Sequence, residues 1–423
     1  MAVSAADAAQ STALITNDAT VLGLLAIMLG AVFYTHQSQH PFWQKFYRFV
    51  PALLLCYFLP SLLNTFNIVD GNASQVYYVA SRYLLPACLV LLILSVDLKA
   101  IIGLGSKAVI MFLTGTLGIV LGGPIALLAL SAIAPELVGG NGPDAVWRGM
   151  TTLAGSWIGG GANQASMKEI YDVGGGIFSV MVTVDVIVAN IWMAVLLFLA
   201  SRAKQIDTAT GADTSAIERL KDKVEEYQSK HARIPNLTDL MLICAVGFGI
   251  TGFAHIGADF LGPFFSENYP QTAQYSLTSK FFWLVVIVTT VGLILSFTKA
   301  RQLEAAGASK VGSAFLYILV ASIGLHMDVS QIVDAPIYFI VGLIWMLVHA
   351  SLMLIVAKLI RAPLFYMAVG SQANVGGAAS APVVASAFHP ALAPVGVLLA
   401  VLGYGVGTYA AWFCGQLLQM VNP

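Results

Sequence analysis

Long apolar runs separated by short polar loops set the pattern of this chain. A membrane-spanning helix needs roughly 20 consecutive apolar residues. Ten runs predict spans on that basis: 19–35, 49–66, 77–97, 107–133, 177–201, 238–261, 280–298, 311–327, 337–357 and 391–418. Two further stretches, 146–172 and 364–389, are apolar in composition but interrupted near their middles. The interruptions echo each other. Gly155–Gln164 reads GSWIGGGANQ, and Gly370–Ala379 reads GSQANVGGAA. One sizeable polar insert, 202–237, separates residues 1–201 from residues 238–423. It carries Glu218, Arg219, Lys221, Asp222, Lys223, Glu225 and Glu226, the mixed-charge run of a solvated helix.

The placement of basic residues orients the spans. Lys45 and Arg48, Lys99 and Lys107, the insert, the Lys299–Lys310 loop, and Lys358 with Arg361 form one set. Loops 67–76, 134–145, 262–279 and 328–336 contain no Lys or Arg. Positive residues favour the cytoplasmic side, which puts the first set inside and the second outside. If 146–172 crossed completely, the basic insert would land outside. If it enters and returns on one side, every loop obeys the rule, and the same holds for 364–389. The expectation is an all-α polytopic membrane protein with ten spans, two re-entrant hairpins and both termini outside.

The halves are then inverted relative to each other. Leu92–Ile101 resembles Ile323–Ile332, with Asp97 ending its span inside and Asp328 ending its span outside, and Gly160 falls opposite Gly376. Matching broken segments in two inverted halves are the sequence pointer to the binding site of a secondary transporter.

Composition narrows the class. Of 423 residues, 58% are hydrophobic and 10% charged, where a soluble domain carries about 25% charge. Solid apolar runs exclude an outer-membrane barrel, whose strands alternate. A net charge of −1 offers no electrostatic footing for nucleic acid. Residues Met1 to Asp18 lack a basic n-region, so no cleavable signal peptide is expected. The cysteines, Cys56, Cys88, Cys244 and Cys414, fall in apolar segments without metal-ligand spacing.

The interruptions carry the candidate chemistry. The first offers Ser156, Gly159, Gly160, Gly161, Asn163 and Gln164; the second offers Ser371, Gln372, Asn374, Gly376, Gly377 and Ser380. Glycine permits a sharp turn and close backbone approach, and Ser, Asn and Gln supply neutral donors and acceptors. The competing reading is close helix packing through small residues. Asp185 lies mid-span, where a carboxylate is costly and marks function by default. With Asn190 it is a candidate sodium site, which Thr183 could share. Asp97 and Asp328 sit at span ends. His349 is mid-span; His255 and Asp259 lie one turn apart; Arg82 can snorkel; Trp157 and Trp192 read as packing residues. No P-loop, HExxH or Gly-x-Ser-x-Gly motif is present, so the expectation is not an enzyme.

At these motifs the chain resembles a known group. Trp157–Asn163 and Ser371–Gly377 look like the Gly-Gly re-entrant loops of the sodium:glutamate and sodium:citrate symporters. Over its whole length the chain resembles the YjcL-like family of membrane proteins of unknown function, grouped with bile-acid:sodium symporters and cation:proton antiporters. The resemblance implies a homodimer with a fixed scaffold and a mobile, elevator-like core. The core would hold both hairpins with spans 177–201 and 391–418, and the earlier spans of each half would form the scaffold. The second hairpin reads Gly376-Gly377-Ala378-Ala379 where the symporter pattern has a further glycine. Neither tip carries the Arg with which citrate symporters grip a second carboxylate.

The expected function is therefore secondary transport in a bacterial inner membrane, multi-pass and in contact with lipid. A small organic anion, amino acid or short peptide would be the substrate, coupled to sodium or to a proton, with no other cofactor. A cation:proton antiporter is the alternative within transport. A non-transporting receptor or assembly subunit is the alternative outside it.

Overall fold

The computed structural model describes residues 13–50, 52–71, 73–215, 217, 235–326, 336–389 and 392–423. Asp328, and the insert's charged run from Glu218 to Glu226, lie outside the described residues. Every regular element described is helical. The first half contains α1 (Asp18–His36), α2 (Pro41–Phe49), α3 (Ala52–Thr65), α4 (Val76–Leu94), α5 (Leu98–Gly103), α6 (Ser106–Ile133), α7 (Val146–Ile170) and α8 (Gly175–Ala200). The short α9 (Ala203–Thr210) opens the insert. The second half contains α10 (Leu237–Asn268), α11 (Lys280–Ser296), α12 (Ala308–Gly324), α13 (Ile337–Leu359), α14 (Leu364–Val375), α15 (Gly377–Phe388) and α16 (Ala393–Val421).

Local chemistry sets the helix ends. Asn17 caps α1 by accepting the Thr20 N–H at 3.1 Å. Asn236 and Asp239 form a reciprocal capping box at the start of α10, with bonds of 2.9 and 3.1 Å. Inside α4, residues Ala80–Leu84 form a π turn. Pro86, just beyond it, has no N–H for the carbonyl four residues back. That carbonyl, Arg82 O, is met instead by His255 Nε2 of α10 at 2.9 Å.

Among the described residues, seven helices (α1, α4, α6, α8, α10, α13 and α16) are long and apolar enough to cross a membrane, and up to nine spans result if each of two bent pairs is one span. The chain is thus a polytopic, all-helical membrane protein. Its outer rows show what covers them. Ile110, Leu113, Leu117, Leu121, Ile125 and Leu128 run along one exposed face of α6, and Ile340, Leu343, Leu347 and Leu354 along α13. Apolar side chains three or four residues apart facing outward are fit for contact with lipid.

The two interrupted segments double back. In α7 the break is at Gly160, with φ +74° and ψ −172°. That region of conformational space is essentially closed to residues with a Cβ. The limbs then run side by side: Gly155 lies against the backbone of Asn163 and Gln164, and Arg148 near one end bonds the carbonyl of Tyr171 past the other. A straight helix would hold those ends about 35 Å apart at 1.5 Å per residue. In the second segment, Gly377 with φ +60° follows the break at Gly376. The end rings Phe365 and Phe388 meet with centroids 5.4 Å apart.

The helices pack as two groups. One joins α1, α3, α4, α10, α11 and α12; the other joins α6, α8, α13 and α16 around both hairpins. Spans α6 and α13 therefore pack with the hairpins, not with the earlier spans as the family resemblance implies. The two spans are also held to each other. Trp345 of α13 is fully buried and lies against the glycine pair Gly122-Gly123 of α6. Its indole N–H reaches the Ile119 carbonyl at 2.8 Å.

Because the turn at Gly160 is open only to glycine, Gly160→Ala is expected to destabilise the protein by about 1–3 kcal/mol. Gly161→Ala, where an added methyl meets Leu316 at an ordinary 3.7 Å, should be neutral or mildly stabilising. Thermal unfolding of the two purified variants checks this; equal melting points would contradict the turn.

Candidate functional site

The mid-span carboxylate organises the first hairpin. Asp185 of α8 is buried, so both oxygens need partners. Oδ2 accepts from Ser156 Oγ at 2.5 Å and from Gln164 Nε2 at 3.1 Å, and Oδ1 accepts from Trp157 Nε1 at 2.8 Å. Ser156 and Trp157 precede the break at Gly160; Gln164 follows it. One carboxylate thus bridges both limbs. Gln164 Oε1 in turn accepts from the Tyr57 hydroxyl of α3 at 3.2 Å, which ties the hairpin to the first helix group.

Thr183 and Asn190 do not join this cluster. Thr183 donates to the Ser179 carbonyl at 3.0 Å, and Asn190 donates to the Val186 carbonyl at 2.6 Å on an exposed face. Five residues along an α-helix turn about 140° away, so the structure does not bring Asn190 to Asp185. A cation entering this cluster would compete with the three neutral donors for the oxygens of Asp185.

The hairpin asparagines are held alike. Asn163 donates to the Gly159 carbonyl at 3.0 Å, and its Oδ1 accepts from Thr408 of α16 at 2.7 Å. Asn374 donates to the carbonyls of Gly370 and Phe112, at 2.9 Å each, and accepts from Thr116 of α6 at 2.8 Å. Each amide therefore bonds the carbonyl four residues back and a threonine on a long facing helix. Gly407 of α16 lets the hairpin close in, since a methyl there would meet Gly159 Cα at 2.6 Å and the Asn163 amide at 2.8 Å.

Ser371 belongs to a directed chain. Trp192 Nε1 donates to Ser371 Oγ at 2.7 Å, and Ser371 Oγ lies 2.7 Å from His349 Nε2. His349 Nδ1 lies 3.0 Å from the Gly115 carbonyl. A carbonyl only accepts, so Nδ1 carries a proton. In the neutral ring, Nε2 then accepts the Ser371 hydroxyl proton. Gln372 Nε2 meets Ser380 Oγ at 2.8 Å across the second break.

The sequence reading missed three features. Trp157 and Trp192, expected to pack, each donate a hydrogen bond between a hairpin and α8, Trp157 to Asp185 and Trp192 to Ser371. Arg82, expected to snorkel, pairs with Glu169 at 2.5 Å in the last turn of the first hairpin. The Tyr77 hydroxyl also bonds Glu169, and Lys168 Nζ reaches that hydroxyl at 3.0 Å. A Lys-Glu pair ending an apolar segment was the available signal. Third, Asp207 of α9 accepts the Leu364 N–H at 2.8 Å, which caps the second hairpin from the insert. Burial pushes the Asp207 carboxyl up, and the Leu364 bond partly offsets this. Of the remaining candidates, Asp97 pairs with Arg301 at 2.6 Å and Asp259 with Lys280 at 2.8 Å.

The arrangement is chemically mild: neutral amides, hydroxyls and helix ends stand around two breaks, with the one buried carboxylate of Asp185 at the first. Comparison with known proteins places the chain among membrane proteins. The family described as "Protein of unknown function (DUF819)" matches residues 23–421. The "Uncharacterized membrane protein YjcL" of Bacillus subtilis (strain 168) is 24% identical over 360 residues, covering 81% of this chain and 84% of that protein.

The clamp at Asp185 has a measurable cost of removal. Asp185→Ala strands three buried donors and is expected to destabilise the protein by about 3 kcal/mol or more. Asp185→Asn, which keeps one acceptor oxygen, should fall between Asp185→Ala and the native protein. Asn190→Ala should stay within about 0.5 kcal/mol. Unfolding measured in one detergent ranks them, and similar losses for Asp185→Ala and Asn190→Ala would refute the clamp.

Proposed function

The chain belongs to the DUF819 family, and on that premise we propose that it is a secondary active transporter for a small organic anion, amino acid or short peptide. One observation carries the reading. Each half of the chain contains a polar hairpin whose ends meet, and both hairpins pack in the same helix group. Irregular backbone at membrane depth is tolerated only where protein or a wet cavity covers it. Two such breaks in matching places are the arrangement of carriers that bind near the midplane.

The inverted repeat has packing support. Under the ten-span reading the repeat makes five matched span pairs, and two of them, α4 with α12 and α6 with α13, pack extensively against each other. A two-fold pseudo-axis would bring mates together in this way. The group around the hairpins is then the moving core and the six-helix group the scaffold of an elevator, with a homodimer formed through the scaffold. The cell location is the bacterial inner membrane.

Sodium coupling rests on the likeness of the two tips to those of sodium symporters. Asp185 is the coupling carboxylate in this reading, since a cation or proton arriving there alters the bonds that hold the hairpin limbs together. The protein is not an enzyme in this reading.

Uptake into proteoliposomes tests the function. An inward sodium gradient should drive accumulation of a solute, and Asp185→Asn should abolish the sodium dependence while folded protein remains. Sodium-for-proton exchange without any solute would favour an antiporter; binding without accumulation would favour a receptor.

Topology is tested separately by an impermeant thiol reagent, with the four native cysteines replaced. Cysteines at positions 141 and 172 should label from outside, and those at 361 and 389 from inside. Labelling of 141 and 172 from opposite sides would remove the hairpin reading.

A further inference from the structure

The hairpin side chains differ in how fully their polar atoms are engaged. Ser156 and Gln164 are bonded to Asp185, with Gln164 also bonded to Tyr57. Asn163 is held by Thr408 and Gly159, and Asn374 by Thr116, Phe112 and Gly370. Ser371 lies between Trp192 and His349. Gln372 is different. It is 1% exposed, its Nε2 bonds Ser380 Oγ, and its Oε1 has no partner among the described residues. A buried amide oxygen left without a donor is costly, and such an atom in a native fold calls for an explanation.

Its location supplies one. Ser380 is in the first turn of α15, a helix of 12 residues that no side chain caps. The first N–H groups of a helix have no partner within it and carry partial positive charge. The Gln372 amide lies over that helix end: a methyl on Gly376, the residue before α15, would overlap both Ser380 Oγ and Gln372 Nε2. The bare helix end wants an anion and the bare oxygen wants a hydrogen-bond donor.

A single ligand can meet both demands. A lone cation suits the oxygen but is repelled by the helix end. A plain carboxylate suits the helix end but has no hydrogen for Oε1. The segment 364–389 contains no Lys or Arg to hold a second acid group. A carboxylate with a nitrogen donor on the neighbouring carbon satisfies both.

Building on the transporter reading, we infer that the start of α15 and Gln372 form the headgroup subsite for an α-carboxylate flanked by an N–H donor. A free amino acid has this group, and so does the C-terminal residue of a short peptide. The carboxylate binds the N–H groups at Gly377 to Ala379, and the nitrogen donates to Gln372 Oε1. The tip thus reads the backbone of the solute.

Thermal stabilisation and equilibrium binding of the full-length purified protein test the subsite. The probes are the proteinogenic amino acids, each beside its des-amino acid and its N-acetyl derivative. At least one amino acid or N-acetyl amino acid should bind, with its des-amino counterpart about ten- to a hundredfold weaker, because the latter leaves Oε1 unmet. Preference for the free or the N-acetylated form separates amino acids from peptide C-termini. Gln372→Leu should erase the discrimination against the des-amino acid, and Gln372→Met serves if the leucine variant does not fold. Equal binding of des-amino acids, discrimination that survives both variants, or no binding across the panel overturns the subsite. Binding with the predicted discrimination but no gradient-driven uptake removes the transporter reading and leaves the subsite. Sodium-driven uptake of a des-amino acid as efficiently as its amino acid does the reverse.

Discussion

A buried carboxylate cannot remain without partners in a membrane protein, and at Asp185 that requirement shapes the first hairpin. Its two oxygens collect Ser156 and Trp157 from one limb and Gln164 from the other. The donors stand on opposite sides of Gly160, so the carboxylate is satisfied only if the chain turns back there. The glycine makes the turn possible, and the acid makes it favourable. Through Gln164 and Tyr57 the same cluster reaches the neighbouring helix group, so the hairpin is held at its tip as well as at its ends.

The second hairpin meets the same demand without an acid. Asn374, Ser371 and His349 connect it to α6, α8 and α13 by neutral hydrogen bonds. The absence of charge at this tip has a chemical consequence. A neutral amide and a helix start discriminate by the pattern of donors and acceptors that a solute presents, where a lysine or arginine would discriminate by net charge. The first hairpin is bonded across its break through a carboxylate; the second leaves the Gln372 amide oxygen without a donor among the described residues.

Charged groups gather where the hairpins leave the core. Arg82, Glu169, Lys168 and Tyr77 fasten the end of the first hairpin to α4, beside the π turn that Pro86 accompanies. Asp207 fastens the start of the second from the insert. In the proposed elevator the Arg82–Glu169 contact lies between the α4 group and the hairpin group, so its strength would set how readily the hairpin group moves. Ion pairs that must break and re-form are suited to that role, since desolvation takes back much of what their attraction provides.

Much of the architecture was legible along the chain. Apolar runs marked the helices, because hydrocarbon excludes polar side chains and unpaired backbone. The clusters at Gly155–Gln164 and Gly370–Ala379 marked the breaks, because glycine and short polar residues disfavour a continuous helix. Basic loops suggested that both segments return to the side they came from, and the meeting of Arg148 with Tyr171 is the local geometry that such a return needs. What the pattern did not contain was partnership. Asp185 and Asn190 look like neighbours in sequence, yet helical rotation turns one inward and the other out. Trp157, Trp192 and Arg82 looked like packing or interface residues, yet each found a polar partner at least 80 positions away or across a turn. Hydrophobic periodicity reports what a residue must avoid, and it is written locally. Which donor meets which acceptor depends on helices brought together from distant parts of the chain, and only the tertiary structure decides that.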